Sequence, residues 1–206
     1  MIGLVDYGMG NRRSVEKALE HVGADVLVSS DPAALARAGG LVVPGVGAFP
    51  AAIERLRTLG LDEFLVERAQ AGVPLLGICL GMHLFFEHSS ELGGSAGLGV
   101  VPGEVRALAA GPLKTPQIGW NEVRWERPAH VLRGLGEAAA FYHVHSFVAV
   151  PADPAEVLGS AEYGERFASV VSHGPFLGVQ FHPEKSSSDG LTLLRNWVAS
   201  CAGAGA

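Results

Sequence analysis

Residues 72–87 read GVPLLGICLGMHLFFE, and the placement of Cys79 within them decides the fold. The run 73–78 is short, apolar and bounded by Gly72 and Gly81, which suits a buried strand better than an amphipathic helix. From Leu80 onward, LGMHLFFEH spaces bulky apolar residues three and four apart, which predicts a helix over 80–88. Cys79 therefore falls where a strand turns sharply into a helix. Such a turn is strained and crowded, needs glycine on both sides, and holds a nucleophile at the carboxyl edge of a sheet. Gly77-Ile78-Cys79-Leu80-Gly81 is the cysteine counterpart of the G-x-S-x-G nucleophile elbow. A helix amino terminus just after it favours the thiolate, the form that attacks. The competing reading is a buried cysteine acting only as a small hydrophobe.

Outward from this stretch, short β-rich apolar runs recur between glycine-marked turns: IGLVDY, DVLVSS, GLVVPG and VPLLGI, then AFYHVHSFVAV, ASVVSHG and FLGVQFH. Helix-like segments at 13–22, 49–59, 61–71 and 80–88 alternate with the early runs, which predicts a parallel sheet covered on both faces. The later runs have fewer helices between them. The expected architecture is an α/β fold with an open mixed, mostly parallel sheet flanked by helices, flavodoxin-like, closed by a helix near 190–199. One domain spans 1–201, and 202–206 is expected to be a flexible tail. In such sheets the site lies beyond the carboxyl ends of the strands.

Composition narrows the class. The chain has 206 residues, nearly half of them apolar, enough for one full core. A formal net charge of −6 and the lack of a basic run argue against broad binding to nucleic acid or anionic membranes. Two cysteines, Cys79 and Cys201, make no disulfide framework, and the second sits in a small-residue end, SCAGAGA, expected to fray. The start MIGLVDYGMG lacks the features of a signal peptide and no apolar run reaches membrane-spanning length, so a cytoplasmic, reducing location is expected.

The strongest partner for Cys79 lies in GVQFHPEKS, residues 178–186. His182 and Glu184 flank Pro183, which fixes its own φ and biases His182 toward extended geometry, holding both side chains at one strand end. A cysteine hydrolase needs a base for the thiol proton and an acceptor to orient that base, and His plus Glu supplies both. The alternative is a surface turn with a solvated carboxylate. A third element is VVPGVGAF, residues 42–49, where amides near Val46 and Gly47, with that of Leu80, would form an oxyanion hole. The same glycines equally serve a plain turn or a phosphate cradle, although no Walker A spacing is present and GLGVVPG misses the dinucleotide pattern by one residue. His143 and His145 share a strand face, which invites a metal reading, but no cysteine or carboxylate stands at ligand spacing beside them.

Elbow, glycine loop and His-Pro-Glu, in this order over nearly the whole chain, resemble the class I glutamine amidotransferases. The resemblance implies that Cys79 attacks the side-chain amide of glutamine, His182 shuttles protons and Glu184 orients His182. It implies no cofactor and no metal. Three further stretches, DYGMGNRRS (6–14), PQIGWNEV (116–123) and FYHVHSF (141–147), are similar to the glutaminase subunits of imidazole glycerol phosphate synthase, of the histidine pathway. That resemblance places Gly47, His83, Glu91, Ser146 and Phe147 around bound glutamine. It places Asn11, Trp120, Tyr142 and Lys185 against a separate cyclase subunit that takes the ammonia through a sheltered channel, the two forming a heterodimer. Read singly, Trp120 and Tyr142 are equally core aromatics and Lys185 a solvated charge.

The chain ends about twenty residues after Glu184, so the ammonia is expected to be used by another polypeptide. Glutaminases serving aminodeoxychorismate or pyridoxal phosphate synthesis are the alternative, and the pair DYGMGN and GWN argues against them. The chain departs from the family in having His83 where glutamine is usual, Phe147 where tyrosine is usual, and Gln117 where histidine is common. These departures predict an altered affinity for glutamine at most.

Overall fold

The computed structural model describes residues 1–203. Its strands are β1 (Ile2–Val5), β2 (Val26–Ser29), β3 (Leu41–Gly45), β4 (Leu75–Cys79), β5 (Phe86–Ser89), β6 (Ser95–Ala96), β7 (Val101–Ala107), β8 (Gln117–Trp125), β9 (Ala138–His145), β10 (Phe147–Pro151), β11 (Val157–Tyr163), β12 (Glu165–His173) and β13 (Phe176–Val179). Its helices are α1 (Arg12–His21), α2 (Pro32–Leu35), α3 (Phe49–Thr58), α4 (Leu61–Gln70), α5 (Leu80–His83) and α6 (Ser187–Gly203).

The strands form one mixed sheet in the order β2-β1-β3-β4-β13-β12-β10-β7-β5-β6. From β2 to β13 the pairing is parallel, and beyond β13 it turns antiparallel through β12, β10 and β7. An antiparallel annex of β11, β8 and β9 branches from β12. Alternation along the central strands feeds two cores. Leu4, Val42, Leu76 and Ile78 pack with Val15 and Leu19 of α1 and Leu194 and Trp197 of α6. Val5, Leu41, Val43 and Leu75 pack on the opposite face with Ile53 and Leu56 of α3 and Leu65 of α4. Strands buried on both faces read as continuous apolar runs, which is why β1, β3, β4 and β13 are visible in the sequence.

Several expectations are corrected. The helix expected over 80–88 is one turn, α5, and Phe86 opens strand β5. The chain after residue 96 takes the carbonyls a longer helix would use: Leu98 N–H donates to Leu84 O, and Val100 and Val101 N–H to Phe85 O. The run AFYHVHSFVAV breaks at Ser146 into β9 and β10, which pair with different neighbours. Strands β5, β6, β7, β8 and β11 are additions to the expected set: Pro102 and Gly103 interrupt β7 and Gly159 interrupts β11, while β8 turns Ile118 and Trp120 outward. The closing helix begins at Ser187, earlier than expected, and continues to Gly203. Cys201 is not frayed: it is buried in α6 and its thiol donates to Trp197 O at 3.3 Å. Of the tail expected at 202–206, residues 204–206 lie outside the described residues. Among the described residues no helix is long and apolar enough to cross a membrane.

Candidate active site

Strand β4 delivers Cys79 to its carboxyl end with φ +54° and ψ −114°, a conformation rare for a residue with a side chain and one that persists only where the surroundings enforce it. Two glycines enforce it. A Cβ on Gly77 would lie 2.7 Å from Gly81 O and Met82 Cα, and one on Gly81 would overlap the carbonyl oxygen of Val43 on β3. The elbow therefore folds only because α5 presses against β3 and β4 at positions without side chains. With a single turn, α5 has a small macrodipole, so support for a thiolate falls to neighbouring side chains rather than to the helix expected from the sequence.

His182 is brought there by β13, which runs parallel to β4 with Val179 opposite Ile78. His182 is extended, as a residue before proline prefers, and Pro183 opens a 3-10 turn over Pro183–Lys185. That turn sets Glu184 Oε1 2.9 Å from His182 Nδ1, with the two side chains 1% and 4% exposed. Ser186 fastens the turn: its hydroxyl donates to His182 O at 2.6 Å and accepts from Tyr142 N–H at 3.0 Å, while His182 N–H donates to Tyr142 O. Burial pulls the His182 pKa down, but hydrogen bonds to Cys79 and Glu184 and the negative charge of both raise it from 6.5 to about 10. Both partners thus favour the protonated ring.

Strand β3 pairs Gly45 with Cys79, so the segment that follows lies beside the sulfur. Tyr7 pins that strand end, its hydroxyl donating to Pro44 O at 2.7 Å. Gly47 has φ +108°, which only glycine adopts at ease. Glu91 Oε2 accepts from Phe49 N–H at 2.9 Å and so anchors the far end of the same loop.

A cavity of about 310 Å³ joins these parts, lined by Val46, Gly47, Cys79, Leu80, His83, Glu91, Ser146, Phe147, His182 and Lys185 together with Pro116, Val144 and His145. Every residue expected around glutamine lines it, as do the three expected to supply oxyanion donors. Glu184 stands behind His182, outside the cavity wall. Trp120 and Tyr142 oppose each other across β8 and β9 in an edge-to-face pair, with Lys185 Nζ 6.0 Å from the Tyr142 ring centroid. Trp120 is 56% exposed, so it is no core aromatic. Asn11 precedes α1 and lines a separate hollow with Asp6, Gly8 and Pro44.

Sequence reading missed Gln180, Val144 and Tyr7. Gln180 is fully buried, with Nε2 3.9 Å from Cys79 Sγ and Oε1 2.8 Å from His83 Nε2. Its signal was present: it stands two residues before His182, on the same side of an extended chain. Val144 acts through its carbonyl, 3.7 Å from Cys79 Sγ, for which no side-chain pattern exists. His143 is no open ligand, since Nδ1 bonds Phe141 O and Nε2 bonds Ser169 Oγ; burial pushes His83 and His143 down to about 4 and His145 to about 3. Gln117 is buried at the start of β8, its Oε1 without a partner among the described residues.

The model of the family Glutamine amidotransferase class-I matches residues 3–201. The chain is 49% identical to the imidazole glycerol phosphate synthase subunit HisH of Moorella thermoacetica, over 95% of this chain and 93% of that one. It is 47% identical to the HisH of Bacillus cereus strain G9842 (96% and 93%) and 42% to that of Nitratidesulfovibrio vulgaris (98% and 97%). In fold it is similar to a crystal structure of a glutamine amidotransferase (TM-score 0.77, 21% identity, 98% of each chain) and to the structure of PurLQS from Thermotoga maritima (TM-score 0.73, 18% identity, 97% of each chain). The chain belongs to the class I glutamine amidotransferases and, among them, to the family of imidazole glycerol phosphate synthase HisH subunits.

Proposed function

We propose that the chain is the glutaminase of imidazole glycerol phosphate synthase in histidine biosynthesis, acting in the cytoplasm as one half of a heterodimer with a separate cyclase subunit. The observation that carries the catalytic reading is the strained Cys79 facing a buried His182–Glu184 pair in a cavity large enough for an amino acid. The Cys79 thiolate attacks the carboxamide carbon of glutamine, and the carbonyl oxygen becomes an oxyanion received by amides of Val46, Gly47 and Leu80. His182, protonated at Nε2 and oriented through Nδ1 by Glu184, gives its proton to the departing nitrogen, and ammonia leaves. Neutral His182 then takes a proton from water, which attacks the thioester carbon. Glutamate departs and the thiolate is restored.

Gly47, Glu91, Ser146 and Phe147 hold the amino-acid end of glutamine, the Glu91 carboxylate complementing its α-ammonium. The exposed patch of Trp120, Tyr142 and Lys185, with Asn11, faces the cyclase subunit, which receives the ammonia before it is protonated by bulk water. The test is glutamate release from glutamine by the chain alone and with the cyclase partner plus its nucleotide substrate, with Cys79→Ala as blank. Strong activation by the partner, absent in the variant, is expected. Full activity without response to the partner would overturn the assignment.

A further inference from the structure

The amide of Gln180 is buried between two groups with opposite demands. At one end Cys79 Sγ lies 3.9 Å from Nε2; at the other His83 Nε2 lies 2.8 Å from Oε1. An amide turned the other way would aim carbonyl lone pairs at a thiolate, so a charged sulfur selects the orientation with N–H₂ toward it. That orientation leaves the carbonyl needing a donor where bulk solvent does not reach, since Gln180 is 0% exposed. His83 meets the need only with its proton on Nε2.

The donor matters because the sulfur is not otherwise well served. The carbonyl of Val144, 3.7 Å from Sγ, favours the protonated thiol and opposes its loss of a proton. Around Cys79 the titratable groups are His182 with Glu184 behind it, Tyr7, whose hydroxyl is committed to Pro44 O, and His83 and His145, both neutral. Lys185 and Glu91 line the same cavity. Of these groups His182 is the one whose pKa the sulfur and Glu184 raise, so it is the cation that supports a thiolate.

We propose that His83 is a positioning residue for the nucleophile: by donating from Nε2 to Gln180 Oε1 it fixes the Gln180 amide so that its N–H₂ stabilises the Cys79 thiolate. His83 Nε2 is thereby committed to the protein and not to glutamine. The inference rests on the reading of Cys79 as the nucleophile. It also changes what the unusual histidine at position 83 does, from tuning substrate affinity to tuning thiolate reactivity.

The test is the rate at which iodoacetamide alkylates Cys79 at neutral pH in the full chain bound to its cyclase subunit, followed by mass spectrometry, beside steady-state glutaminase kinetics. His83→Leu frees the Gln180 amide to turn and is expected to slow alkylation and kcat about tenfold, the loss of the Gln180 hydrogen bond to a charged sulfur, with the KM for glutamine unchanged. His83→Gln keeps an amide donor and is expected to restore most of both. Gln180→Met removes the N–H₂ directly and is expected to match His83→Leu, which keeps the test open should the leucine variant fail to fold. Equal alkylation in wild type and in the variants lacking the donor would overturn the inference. So would a raised KM with intact kcat, or a His83→Gln variant as slow as His83→Leu. Wild-type protein whose Cys79 does not alkylate would instead overturn the nucleophile reading itself.

Discussion

Replacing Glu184 by glutamine keeps the shape of the His182 partner and removes its charge. The pair is almost wholly shielded, with side chains 4% and 1% exposed and Nδ1 2.9 Å from Oε1, so solvent screens little of it. At a charge separation of about 4 Å and an effective dielectric of about 20, the attraction is about 4 kcal/mol. An amide oxygen at the same place retains a neutral hydrogen bond of about 1 kcal/mol. The imidazolium and the transition state it serves thus lose about 3 kcal/mol, or about a hundredfold in kcat. Glu184 does not line the cavity, so the KM for glutamine stays within about twofold of wild type. Steady-state glutamate release from the complex with the cyclase subunit reads both constants. A kcat within about threefold of wild type would refute the role given to the carboxylate, and a raised KM would place Glu184 in substrate binding.

Gly81→Ala places a methyl group onto Val43 O and is expected to destabilise the chain by about 3 kcal/mol and lower its thermal midpoint by about 6–12 °C; an unchanged midpoint would show that the elbow tolerates a side chain. Stability is expected to fall on both sides of neutrality. His182, raised to about 10, contributes stability present in full below about 6.5 and lost as pH rises through 10, whereas His83, His143 and His145, lowered to about 4, 4 and 3, contribute stability that is lost as pH falls below 6.5. Urea midpoints measured across that range would be flat at the alkaline end in His182→Ala if the first half is right. Trp120→Ala is expected to weaken binding of the cyclase partner about thirtyfold, as for a buried aromatic anchor, while shifting the chain's own unfolding free energy by less than about 0.5 kcal/mol. Titration calorimetry and thermal melts separate the two effects, and a melt that drops with affinity intact would return Trp120 to a structural role.

The sequence alone determined the elbow at Cys79, the His-Pro-Glu turn, the glycine loop at 44–47 and the α/β class. Each of these is a local matter: a glycine where a Cβ cannot fit, a proline that fixes its neighbour, and apolar runs whose length marks strands buried on both faces. What local pattern could not carry is which distant residues meet. The helix expected over 80–88 stops at His83 because the chain beyond residue 96 claims its carbonyls. Read singly, Trp120 is as much a core aromatic as a surface one, and only β8, which turns it outward, decides between them. Gln180 meets His83 across 97 positions of sequence, and Val144 reaches Cys79 through a backbone oxygen that every residue possesses. These contacts are set by the parallel register of β4 on β13 and by the break at Ser146, and a register is a property of two paired segments that neither segment encodes by itself.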